Sequence, residues 1–463
     1  MKKNEDYALV KRGIIWKNGF ISALKVLLVI FIIVTLNTNG FTQAEEYKVT
    51  KTEQEEVVKK IGEILKKNYI FPETAEKMDA HIQTKLKNGD YEKITSPSTF
   101  ANRLTSDLRE ISKDLHIRVT YDPEAVQRMR RREKNKDDPE LLKLRLKGLR
   151  RTNFGFKEVK ILSGNIGYLD LRQFANTRYA GETAVAAMNF LANCDALIVD
   201  LRGNGGGSAE MIQLLTSYFY DGDEPVHLNT FYWRPSDATV QTWTLPHVPG
   251  KKLADVDIFV LTSRRTFSAA EEFSYNLKNL KRATLIGKTT GGGAHPGGPK
   301  IINDNFFINV PTGRAINPIT KTNWEGVGVK PHIEVPQEDA LTTARLKALE
   351  KLAAKTEDKD DKFRYDWHIT SLKAELEPVE VNPEVLQSYV GKYGPRTITF
   401  ENGVLHYQRI GRPKYRMIPL SDELFMFKEL DYFRIKVIKE NGEIKGLMGM
   451  YDNGSTDTSL KSK

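Results

Sequence analysis

Residues 197–207 read Leu-Ile-Val-Asp-Leu-Arg-Gly-Asn-Gly-Gly-Gly. An unbroken apolar run gives way to consecutive glycines, and a helix-spaced segment, Ala209–Phe219, follows at once. A short apolar run without polar alternation fits a strand covered on both faces. Strand, glycine turn and helix together form the repeating unit of an α/β layer with parallel strands. The flanking sequence repeats the unit. Ile166–Leu171, Ile258–Leu261 and Ala283–Ile286 read as strands, and Tyr179–Leu191 and Ser268–Leu280 as helices. The glycines themselves admit three readings. A dinucleotide turn would need a third glycine where Ser208 stands, and no acidic residue closes a strand about 20 residues on. Simple turn geometry is the second. The third is a set of N–H groups facing a reacting carbonyl, an oxyanion hole.

Outward from this layer the pattern changes. Between residues 47 and 115, Val57, Val58, Ile61, Ile64 and Leu65 recur at helical spacing, as do Phe100, Leu104, Leu108 and Ile111. Ile117–Tyr121 reads as a strand. On the other side, Ala340–Ala354 reads as a helix and Glu357–Lys362 as a charged linker. Asn402-Gly403, Asn441-Gly442 and Asn453-Gly454 separate β-rich runs near the end, because Asn-Gly takes φ > 0 readily at both centres of a tight hairpin. The expected organisation is an address segment at 1–44, a helical unit at 45–127, a basic linker at 128–154, the α/β layer at 155–340, a helix and charged linker at 341–381, and a small all-β unit at 382–463.

The chain has 463 residues and a formal net charge of +10. Residues 1–44 hold +4 of it and residues 128–151 hold +7, so the rest sums to about −1. A charge so localised argues against a protein that coats nucleic acid. Lys- and Arg-bearing residues 1–25 precede the apolar run Val26–Leu36, and Thr42-Gln43-Ala44 offers a cleavage site. That order is a secretory signal, with an uncleaved membrane anchor as the alternative. The run of 11 residues is short against the roughly 20 that span a bilayer. Export to a periplasmic or extracellular space is expected. The only cysteine, Cys194, precedes a buried strand and reads as a small core residue.

A second segment bears on chemistry: Thr266-Phe267-Ser268-Ala269-Ala270-Glu271-Glu272-Phe273. Ser268 follows a buried strand and opens a helix, where backbone N–H groups favour negative charge. As an isolated feature it reads equally as an N-cap. Gly-x-Ser-x-Gly is absent, and no Lys lies three residues on.

Taken in order, Asp-Leu-Arg-Gly-Asn-Gly-Gly-Gly (200–207), Thr-Phe-Ser-Ala-Ala-Glu-Glu-Phe (266–273), Gly-Lys-Thr-Thr-Gly-Gly-Gly-Ala-His-Pro (287–296) and Trp-Glu-Gly-Val-Gly-Val-Lys-Pro-His (324–332) resemble the S41 peptidases over residues 50–340. That family includes tail-specific proteases, the tricorn core protease and the repeats of interphotoreceptor retinoid-binding protein. The resemblance implies a crotonase-like α/β domain behind a helical N-terminal unit. It also implies Ser268 as nucleophile, His116 as general base and Glu325 as acidic partner, with Gly205, Gly206 and Ala269 donating to the oxyanion. The family's other design pairs the serine with a lysine, and Gly293 stands where that lysine would be. His295 is a competing base or a substrate contact. No PDZ-like segment lies between His116 and Ile166. The basic stretch occupies that place, and Arg130, Arg131 and Arg132 are candidates for attracting acidic peptides. The remaining histidines match no metal-ligand spacing, so neither metal nor cofactor is expected. The substrate implied is a peptide or unfolded protein. The alternative is a non-catalytic member of the fold that binds apolar ligands or peptides.

Overall fold

The computed structural model describes residues 47–134 and 139–462, so the expected signal segment at 1–44 lies outside the described residues. Among the described residues no helix is long and apolar enough to cross a membrane.

Three helices open the described chain: α1 (Lys51–Asn68), α2 (Pro72–Lys87) and α3 (Pro97–Ser112). Thr50 caps α1 by accepting the Glu53 N–H, and Ser96 caps α3 with Pro97 in the first turn, where a missing N–H costs nothing. Strand β1 (Arg118–Tyr121) follows, then two helices in the basic stretch, α4 (Pro123–Lys134) and α5 (Pro139–Arg151).

The central sheet comes next. Its strands are β2 (Phe156–Leu162), β3 (Ile166–Leu171) and β4 (Ala196–Asp200), with α6 (Thr177–Phe190) between the last two and α7 (Ala209–Ser217) after. A hairpin, β5 (His227–Trp233) and β6 (Ala238–Trp243), precedes β7 (Asp257–Thr262). Helix α8 (Ala269–Asn279) leads to β8 (Ala283–Gly287). Strands β9 (Gly297–Ile301), β10 (Phe306–Pro311), β11 (Gly313–Ile316) and the short β12 (Ile333–Glu334) complete the set. The six-stranded order is β12-β8-β7-β4-β3-β2, parallel from β12 to β3, with β2 antiparallel at the edge.

Both faces of this sheet are covered, which is why its strands read as continuous apolar runs. Leu197, Val199 and Val260 face the core shared with α6, α7 and α8. Ala196, Ile198, Phe259 and Leu261 face a second core with α9 (Ala340–Lys355). Cys194 is buried just before the start of β4, and burial pushes its thiol up to about 11.

Two features depart from the sequence reading. The charged run Glu357–Lys362 is not an open linker, because from Lys359 it forms the first turn of α10 (Lys359–Leu376). Asp358 accepts the Asp360 and Asp361 N–H groups, and acidic residues suit a helix N-terminus, so charge here starts a helix. Ile369 and Leu372 of α10 join the core under α9.

The second departure positions the site. Hairpin β9–β10 pairs with β1, so Ile302, Phe306, Ile308 and Val310 complete the core of α1–α3. A segment from far along the chain thus binds the residues around 114–121 to those around 295–311.

The C-terminal residues form two antiparallel sheets, one of four strands within 391–416 and one of five within 418–460. They share their own apolar core, including Tyr389, Phe425, Phe433 and Leu447. The Asn-Gly hairpins are present as expected, with Asn402 and Asn441 at φ 52° and 54°. This part rests on α10, where Trp367 Nε1 donates to the Asp431 carbonyl at 2.8 Å.

Candidate active site

Residues 263–268 carry the chain from β7 into α8. Thr266 Oγ1 donates to the Leu201 carbonyl at 2.7 Å, and Ser263 Oγ to the Arg202 carbonyl at 2.6 Å. The turn is therefore tied to the end of the neighbouring strand β4. Ser268 sits at φ +54° and ψ −121°. An ordinary N-cap is extended, with negative φ. A left-handed non-glycine costs about 1–3 kcal/mol and persists only where its surroundings enforce it.

Those surroundings centre on Glu271. Its carboxylate accepts the Ser268 N–H at 2.9 Å, the Gly292 N–H at 2.6 Å, the Gly293 N–H at 2.8 Å and the Thr290 hydroxyl at 2.5 Å. Burial raises its pKa, and the four donors oppose that rise. One carboxylate thus fastens the Ser268 turn to the glycine loop 290–293. In the sequence Glu271 stands inside the serine segment without an assigned role. Its place three residues after Ser268, as in a capping box, was the available signal.

The glycine turn after β4 approaches from the other side. A Cβ at Gly206 would stand 2.9 Å from Ser268 Cβ and 3.0 Å from the Ala269 nitrogen, and Gly206 has φ +107°. Only glycine fits there. The Gly206 N–H, however, donates to Asn204 Oδ1 at 2.8 Å, and buried Asn204 is anchored by its Nδ2 on the Leu171 carbonyl at 2.9 Å. Of the three expected oxyanion donors, Gly206 is therefore already engaged. Ala269, in the first turn of α8, carries an N–H that no intrahelical carbonyl can satisfy.

His116 comes from the loop before β1. The β1–β10 register pairs Arg118 with Asn309, and Asn309 Nδ2 donates to the His116 carbonyl at 2.9 Å. The His116 N–H donates to Asp114 Oδ1 at 2.9 Å. Its ring lies against Phe267, the residue before Ser268, with centroids 4.8 Å apart. Neither ring nitrogen meets a hydrogen-bond partner among the described residues, and Nδ1 is 3.8 Å from Asp114 Oδ1. The hydrogen bond expected between Ser268 and His116 is thus not made in this structure. Burial holds the imidazole below its ordinary pKa.

His295 is placed differently. Its Nδ1 is 3.0 Å from Asp114 Oδ2 and 3.4 Å from Glu325 Oε2. Tyr69 donates to the same Asp114 oxygen at 3.2 Å, and Asp114 is fully buried. Glu325 Oε2 accepts the Ala294 N–H at 2.5 Å, and its Oε1 is buried without a hydrogen-bond partner among the described residues. Burial, reinforced by the Asp114 charge, raises the Glu325 carboxyl to about 7. Glu325 therefore touches His295 instead of hydrogen-bonding His116. Asp114, two residues before His116, contacts both histidines. The ligand atoms of Asp114, His295 and Glu325 all lie within 4.8 Å of one another, a spacing that a divalent ion would also tolerate.

A cavity of about 470 Å³ opens beside Ser268, with Ala269, Gly293, Ala294 and Trp324 on its wall. Arg130, Arg131 and Arg132 do not line it, and Arg130 pairs with Asp304 at 2.7 Å. A Cβ at Gly293 would stand 2.2 Å from Phe267 Cζ and 2.7 Å from His116 Cε1, so no side chain fits where a catalytic lysine would stand. Lys288 lies 3.7 Å from Glu334 and is 41% exposed, away from the cavity wall.

The family model described as "Peptidase family S41" matches residues 165–335, and that described as "N-terminal domain of Peptidase_S41 in eukaryotic IRBP" matches residues 39–147. The chain is 24% identical over 208 residues to a carboxy-terminal processing protease, CtpB, of Bacillus subtilis, covering 44% of this chain and 41% of that one. It therefore spans about two fifths of that relative's length. Among solved structures, the photosystem II D1 C-terminal processing protease is similar at 22% identity and TM-score 0.31, over 37% of this chain and 43% of that one. A lipoprotein from Streptococcus agalactiae is similar at 15% identity and TM-score 0.44, over 64% and 96%. The two family models together match more than half of the sequence, and the chain belongs to peptidase family S41.

Proposed function

We propose that this protein is a serine peptidase that cleaves peptide bonds through an acyl-enzyme on Ser268, with a Ser-His-Glu rather than a Ser-Lys design. The observation that carries the reading is the backbone of Ser268. A serine held at φ +54° by a buried carboxylate, at a helix N-terminus and on the edge of a cavity, is more than a cap.

Ser268 Oγ attacks the substrate carbonyl and passes its proton to His116, which returns it to the leaving amine. Water then repeats the steps on the acyl-enzyme. The His116 ring has to swing from its contact with Phe267 toward Ser268, and its unpartnered nitrogens leave it free of bonds that would oppose this. Catalytic hydrogen bonds are commonly loose before substrate binds. Glu325 shapes the base side through the Ala294 N–H and His295. The oxyanion is received by Ala269 and Gly205, and by Gly206 once its N–H leaves Asn204. The domain is read as crotonase-like and the substrate as a short or unfolded peptide. The chain is read as exported, guided or anchored by residues 1–44.

One observation favours a second assignment of the base. The His295 ring, unlike that of His116 at 3.8 Å from Asp114, lies within hydrogen-bond distance of carboxylates, the contact that orients an imidazole in a triad. Fluorophosphonate labelling tests the main reading. Wild type should label on Ser268, and His116→Ala should slow labelling far more than His295→Ala. Equal labelling of Ser268→Ala would end the proposal, and the reverse order of the histidines would move the base to His295.

A further inference from the structure

The cavity beside Ser268 has an unusual charge pattern. Phe231, Trp233, Val240 and Trp324 give it apolar walls, and Glu272 and Glu210 also line it. None of its lining residues is Lys, Arg or His. Glu272 follows Ser268 by four residues, so the two stand on one face of α8, one turn apart. It is only 5% exposed, and its Oε1 accepts from Asn229 Nδ2 at 3.1 Å. The Ser208 hydroxyl donates to Glu210.

A buried acid without a cation is expensive unless something completes it. Burial raises the Glu272 carboxyl to about 7, with the charge of Glu210 adding to that rise. Neither glutamate is needed for acyl transfer as described above. Both stand where a substrate side chain enters, next to the nucleophile.

Resting on the peptidase reading, we infer that this cavity selects a Lys or Arg side chain on the residue whose carbonyl Ser268 attacks. The methylenes of such a side chain lie along the aromatic walls and its cation reaches Glu272, with Glu210 nearer the mouth. Aromatic faces add attraction for a cation, and the volume is within the range of pockets that enclose a ligand group. Glu272 is thereby a specificity-determining residue, separate from the catalytic set.

The test is a set of matched fluorogenic peptides that differ only at that residue: Lys, Arg, norleucine, Leu and Glu. Wild type should show kcat/KM about tenfold or more higher for Lys and Arg than for norleucine, and least for Glu. Glu272→Gln keeps the shape and should bring the Lys-to-norleucine ratio close to one. Glu210→Gln should lower it by less. A wild-type preference for norleucine or Leu over Lys overturns the inference without need of any variant, as does a ratio that Glu272→Gln leaves unchanged. Cleavage of Leu peptides with no Lys preference leaves the peptidase reading intact and sinks this one alone. Absence of both cleavage and fluorophosphonate labelling overturns the two together.

Discussion

The Ser268 side and the His116 side of the site, proposed to supply nucleophile and base, are built in opposite ways. Around Ser268, four donors converge on Glu271 and the turn is bonded to the end of β4 at the Leu201 and Arg202 carbonyls. Around His116, both ring nitrogens are without partners and the ring rests on Phe267. One side is fixed in a strained geometry by a saturated network. The other is positioned by backbone contacts and keeps its side chain unbound. A site that must hold an oxyanion rigidly, yet pass a proton both ways, is served by that division.

The sharpest way to break the contrast is at its centre. Ser268→Ala should cut turnover by about a thousandfold or more while leaving the fold intact. A variant that retains peptide cleavage would mean that the strained serine is not the nucleophile. His116→Ala should come next, with a loss of about a hundredfold or more in kcat/KM. His295→Ala should lose less activity but more stability in urea unfolding, because it leaves Asp114 and Glu325 facing each other without the ring between them.

Glu271 tests the saturated side. Glu271→Ala orphans three backbone N–H groups and a hydroxyl, so stability should fall by about 3 kcal/mol or more, with kcat falling alongside. A stable, fully active variant would show that the network merely accompanies the strained turn.

The smallest effects concern pH. If neutral His116 is the base, its burial puts the acid limb of kcat/KM below pH 6.5; a limb above that value would assign the titration to another group. Glu272 has the opposite linkage to an ion-paired carboxylate. Its folded pKa, about 7, lies above its ordinary 4.5, so the native state binds the proton more tightly. That stability is present below pH 4.5 and is lost as pH rises through 7. Glu272→Gln should therefore gain about 3 kcal/mol over wild type between pH 4 and pH 8. A flat difference across that range would show that the carboxyl is not held up by burial.

The contrast also explains what could be read from sequence. The α/β layer and the nucleophile turn are local: a strand, its turn and its helix are contiguous, so period and glycine placement reveal them. The base side joins residues 114–116, 295 and 325, and nothing local marks that meeting. Hairpin β9–β10 makes it, and its sequence signal, the Asn303-Asp304-Asn305 turn between apolar runs, is weaker than that of the glycines before it. Charge misled at Glu357–Lys362, which reads as a linker but caps and begins a helix. Arg130–Arg132 are not among the residues that line the cavity. The buried acid that lines the cavity, Glu272, is hidden in a motif where its neighbour Glu271 does the bonding to the loop.

The most direct measurement is rapid-quench turnover of an activated ester or peptide with intact-mass detection. An acyl adduct should accumulate in a burst equal to the enzyme concentration, map to the peptide containing Ser268, and vanish in Ser268→Ala. Turnover with no adduct, or an adduct on another residue, would contradict the account.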